Sequence, residues 1–164
     1  MTGPALGTKK PSHFDESELT HAAWGVVGAI GLTLLIVGLV DLFLAWWPLR
    51  FGSPEWEFGT ISATLNNLPV PAMGLALVLA HAVAHERRSQ LAAVGVWSAA
   101  VVLFLGVCAV FYALDVPLAL RAVQDPVMRR GLKAGVIKGV ASLLMYGLFH
   151  LWCTVVAFRR FSKS

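Results

Sequence analysis

The sequence predicts an all-α integral membrane protein, a bundle of four transmembrane helices with short outer-face helices in the first and third connections. Three observations predict it. Hydrophobic residues make up 57% of the 164 residues, and the mean hydropathy is +0.72. They gather into four stretches, about 22–48, 69–84, 89–114 and 134–158, the first free of charge from Ala22 to Val40. A helix needs about 20 apolar residues to cross a hydrocarbon core near 30 Å. Finally, the stretches are continuously apolar rather than alternating. In lipid each element must satisfy its own backbone, and barrel strands would alternate, so the spans are helices. One transmembrane domain, 22–158, then lies between a polar tail, 1–21, and a basic tail, 159–164. The net charge of +4 is not a nucleic-acid signature, because the basic residues sit at the span ends.

The elements follow in order. The tail, with Lys9, Lys10, Asp15, Glu16 and Glu18, does not read as a secretory signal. Thr20 can cap the first helix, and Trp46 and Trp47 fit an interfacial belt at its far end. Ser53-Pro54-Glu55 is a helix start, with Ser as N-cap, Pro at the first position and an acid in the first turn. A short helix from Pro54 to about Leu65 is expected, with Trp56, Phe58, Ile61 and Leu65 as its apolar surface. Asn66-Asn67 should break it, and Pro69 and Pro71 restart the chain into span two. Glu86-Arg87-Arg88 makes a tight turn into span three. Asp115-Val116-Pro117 is expected to end that span and cap a short helix towards Val123. Asp125-Pro126 starts another helix that runs through Arg129, Arg130 and Lys133 into span four.

Span four carries Gly131, Gly135 and Gly139 on one face, a spacing that lets helix backbones approach closely in lipid, within the chain or against another subunit. Span one has a looser set in Gly25, Gly28, Ala29 and Gly31. With the N-terminus inside, Lys and Arg divide 7 inside to 6 outside. The Glu86-Arg87-Arg88 turn and the Arg159-Arg160 pair are the cleaner anchors, and they favour both termini in the cytoplasm. Cys108 and Cys153 lie in antiparallel neighbours and point to no disulfide, and no C-x-x-C pattern supports a zinc ribbon or attached haem.

Few residues suggest chemistry. Asp41 and Lys138 fall at similar depth near the hydrocarbon boundary, which suggests an ion pair; Arg50 is a second partner for Asp41. His81 and His85 share a face of span two, and His81 and His150 can fall in one leaflet. Two facing histidines can ligate haem iron, and one suffices for a chlorophyll-type magnesium, so His81 and His150 are the candidate cofactor residues. A zinc site from His81, His85 and Glu86 is poorer, since Glu86 points about 100° away from His85 on the helix. His85-Glu86-Arg87-Arg88 lacks the second histidine of a zinc-protease helix, and no nucleophile constellation or phosphate loop is present. Glu55, Glu57 and Asp115 can share the outer face, where dipole complementarity is the commoner role for such acids.

The segments Trp47-Pro48-Leu49, Pro54-Glu55-Trp56-Glu57-Phe58 and Leu68-Pro69-Val70-Pro71-Ala72-Met73-Gly74-Leu75 follow a pattern of span, Pro/Trp-containing outer segment and Val-Pro-x-x-Gly-Leu approach to the next span. Over roughly residues 36–80 this resembles the HpsJ-like small membrane proteins of cyanobacteria, which are linked with hormogonium polysaccharide. The resemblance implies an accessory protein of a bacterial cytoplasmic (inner) membrane and carries no catalytic motif. The expected function is therefore a non-catalytic accessory or assembly subunit, with no cofactor, embedded in lipid beside other membrane subunits. The alternatives are a haem- or chlorophyll-binding subunit of a photosynthetic or respiratory complex, using His81 and His150, and a small transporter or channel component with Asp41 as coupling acid.

Overall fold

A computed structural model describes residues 16–50 and 52–163, with side chains from residue 18 onward except those of 54 and 55. The described residues are all helical in their regular structure: α1 (Glu16–Trp46), α2 (Pro54–Asn67), α3 (Pro69–Ala84), α4 (Arg88–Ala122) and α5 (Pro126–Phe161). Three of them, α1, α4 and α5, are long and apolar enough to cross a membrane. A fourth crossing exists only if α2 and α3, which bend by 42° at their junction, count as one broken span.

Two helix starts stand where the sequence puts them. The Ser53 hydroxyl accepts from the Trp56 N–H at 3.4 Å, and Asp125 accepts from the Val127 and Met128 N–H groups at 2.7 and 3.2 Å. Each satisfies donors that the first helical turn leaves unpaired. The Asn66-Asn67 break is smaller than expected. α2 runs through Asn67, and Leu68 N–H still reaches Thr64 O at 3.0 Å. Pro69 and Pro71 bring no N–H to the next turn, so the chain bends there without unwinding.

Two expectations are corrected. The first helix is already formed at Glu16, ahead of the expected Thr20 cap, so residues 16–21 of the expected tail are helical. Glu16 and Glu18 suit the positive end of a helix dipole, which favours the earlier start. Residues 1–15, with Lys9, Lys10 and Asp15, lie outside the described residues. The chain also does not break at Asp115-Val116-Pro117: α4 continues to Ala122 with Pro117 inside it. Proline removes one hydrogen bond, from the Ala113 carbonyl, but its fixed φ is helical. The Asp115 carboxyl turns inward and caps nothing.

Packing is uneven. α1 lies along α3, and α4 along α5; α3 and α2 join the two pairs. No residue of α1 has its Cα within 8 Å of one in α4 or α5. One buried cluster holds Ile61, Leu65 and Leu68 against Leu105, Cys108 and Tyr112; the other holds Leu75, Leu79 and Ala82 against Leu91, Cys153 and Ala157.

Candidate functional site

The densest polar arrangement lies where α2 crosses the far ends of α1 and α4. Trp46 Nε1 donates to the Thr64 hydroxyl at 2.8 Å, and that hydroxyl donates to the Thr60 carbonyl at 2.8 Å. The relay fixes the indole, which meets Trp56 edge-on at 5.8 Å and Phe104 at 5.5 Å between ring centroids. Below it Phe58 stacks on Tyr112 at 5.3 Å. Glu57 accepts from the Gly52 N–H at 2.7 Å; Gly52 holds φ at +89°, a turn conformation a side chain disfavours. Glu57 also lies beside the Asp115 carboxyl. Asp115 is 6% exposed, and its Oδ2 has no partner. The sequence puts both acids on the outer face, and the structure brings them together.

The candidate cofactor histidines are not brought together. His81 faces α1, where its Nδ1–H donates to the Trp24 carbonyl at 2.8 Å. Gly28 makes room for it: a methyl group there would lie 3.0 Å from the imidazole. His81 contacts His85 at 4.6 Å between centroids, and His85 stacks on His21 at 5.7 Å. The first pair is tilted by 60° and the second is stacked. Among the described residues no three His, Cys, Asp or Glu side chains form a group able to hold a metal. His85 lies just beyond the end of α3. Burial, then the His81 and His21 rings and Arg87, hold it below its ordinary value of 6.5.

His150 sits elsewhere, at the level of Pro71, buried to 3% exposure with neither ring nitrogen hydrogen-bonded. It borders a cavity of about 250 Å³ that reaches between α1 and α4. That space suits a single ring rather than a tetrapyrrole: an engineered cavity of about 150 Å³ holds one benzene.

Asp41 stands exposed on α1. Lys138, on α5, donates to Asn66 Oδ1 at 2.9 Å, and the separation of α1 from α5 keeps the two charges apart. Of the three evenly spaced glycines of α5, Gly139 meets a neighbour, the Tyr112 ring, whose hydroxyl donates to the Gly135 carbonyl at 3.4 Å. A methyl group on Gly131 or Gly135 would meet nothing within 4 Å. They line a groove of about 350 Å³ between α2 and α5, with Ser62, Asn66, Lys138 and Ser142 as its polar groups. The tight glycine packing lies between α1 and α3, at Gly31, Gly38 and Gly74. A reading of α1's glycines against the Gly74 of the Val-Pro-x-x-Gly-Leu segment would have found it.

No match was found among curated proteins or among solved structures. The family model for HpsJ-like proteins matches residues 22–127, from α1 to the first residues of α5 and well beyond the 36–80 stretch that carries the resemblance by eye. The chain belongs to the HpsJ-like protein family.

Proposed function

We propose that this protein is a non-catalytic accessory subunit of a bacterial cytoplasmic membrane, which docks a helix of a larger membrane complex in the groove between α2 and α5. The observation that carries this reading is the open glycine surface: Gly131 and Gly135 leave backbone exposed beside Asn66, Lys138 and Ser142. In lipid there is no hydrophobic drive between helices. Association comes instead from close backbone approach at small residues and from interhelical hydrogen bonds. The groove offers both.

On this reading α3, about 24 Å long for 16 residues, is continued by α2 to complete a fourth crossing. Both termini then lie on one side. Arg160 and Lys163 line the same recess as Glu86, next to Arg87 and Arg88, and this basic end suits the cytoplasmic face.

The test is purification of the native protein in mild detergent with identification of whatever remains bound. Gly135→Ile should leave the fold intact, because its side chain enters open space, and should reduce recovery of the partner at least tenfold. Unchanged recovery, or a wild-type protein that runs as a clean monomer, overturns the reading.

A further inference from the structure

We propose that the cavity beside His150 is a binding site for the ring of a lipid-soluble quinone. Its floor is the His150 imidazole. Its walls include Leu39 and Leu42 of α1, and Trp97 and Phe104 of α4. Because the α1 and α4 backbones stay apart and touch through Trp46 and Phe104, the cavity opens sideways between them, where a hydrocarbon tail can leave into lipid.

Four properties of the site select the ligand. The volume, about 250 Å³, takes one substituted six-membered ring. The aromatic walls favour a flat ring that stacks against them. The location between membrane-length helices restricts entry to a molecule dissolved in the bilayer. The remaining property is the unmet hydrogen bonding of His150. Burying an imidazole with both nitrogens unpaired is unfavourable in an apolar setting, where no water compensates.

No group of the protein bonds either nitrogen. Gly95 packs near Ala157, and Tyr112 near Gly139, which sets the antiparallel register of α4 and α5. Val101 then lies opposite His150, and Ser98 one turn further along α4. Ser98 is fully buried, and its hydroxyl also lacks a partner. A neutral imidazole carries one N–H donor and one acceptor nitrogen. Rotation about χ2, a broad torsion, turns that N–H to the cavity. The group it then needs is a pure acceptor on a flat, lipophilic ring, and a quinone carbonyl is that group. A plain acyl chain fills the space but leaves the N–H unpaired.

The experiment uses the full chain in phospholipid nanodiscs, titrated with a decyl-substituted benzoquinone, with quenching of Trp97 fluorescence as readout. The Trp97 signal is wild type minus Trp97→Phe. Saturable quenching is expected in the wild type. His150→Leu should weaken binding about tenfold, the equivalent of one hydrogen bond. His150→Gln keeps a donor and should stay within about threefold. Ala100→Phe, at an exposed cavity-wall position and therefore tolerated by the fold, should abolish saturation. Quenching that rises linearly with quinone in every protein overturns the proposal. So does saturable binding with equal affinity in His150→Leu, the result expected of a cavity that holds any apolar chain.

Discussion

Gly74 brings α3 so close to α1 that a methyl group in its place would lie 2.6 Å from the Leu35 nitrogen and 2.7 Å from the Gly31 carbonyl oxygen. Both are backbone atoms and cannot turn aside. Gly74→Ala must push the two helices apart, and about 1–3 kcal/mol of destabilisation is expected, as for other overpacked positions. Gly106→Ala, with open space around it, should be neutral or stabilise by up to about 1 kcal/mol, since alanine is the better helix former. Thermal unfolding of both variants in detergent separates these outcomes. This contrast was only partly legible in the sequence, where Gly74 can be set against the glycines of α1 but nothing marks Gly106 as open. Spacing singled out Gly131, Gly135 and Gly139, but which glycine meets a neighbour depends on the rotation of each helix against its partner. That rotation is a property of two elements. Caps are local, by contrast, and Ser53 and Asp125 were readable because their side chains bond their own first turn.

At the scale of elements, Pro117 and the α2–α3 junction show how far punctuation can be trusted. A proline marks a lost hydrogen bond; it does not say whether the chain bends or breaks. At Leu68 two prolines and two asparagines produce a bend of 42°, whereas a single proline leaves α4 continuous to Ala122. The α1–α3 pair is also held at its other end by histidines. His85 stacks on His21 across the two helices, and His81 bonds the Trp24 carbonyl. Since His85 is held below its ordinary value, it binds its proton more weakly in the folded protein than in the unfolded chain. Between the folded and ordinary values the unfolded chain therefore carries more protons, and stability rises with pH through that window. Acidification below about 6.5 should lower the melting temperature relative to pH 7.5, and His85→Gln should remove part of that dependence. Melting curves at pH 5.5 and 7.5 for the two proteins check this; equal slopes would count against the histidine contact.

For the whole molecule, composition and run length carried the helical class, because lipid admits few alternatives for long apolar segments. They could not show which helices touch. The contacts divide the chain into α1–α3 on one side and α4–α5 on the other, and the polar groups collect on the seam between them. Asn66 meets Lys138 there, Glu57 meets Asp115, Phe58 stacks on Tyr112, and His150 borders its cavity. The family match ends at residue 127, so most of α5, with His150 and the open glycines, lies beyond it. The only covalent link across the seam is the turn from His85 through the positive-φ residue Glu86 to Arg87. That turn is a tether, not a support. A gene severed between Glu86 and Arg87 should therefore encode two fragments, 1–86 and 87–164, that insert separately and find each other in the bilayer. Co-expressed with a tag on either one, they should elute together as a complemented whole.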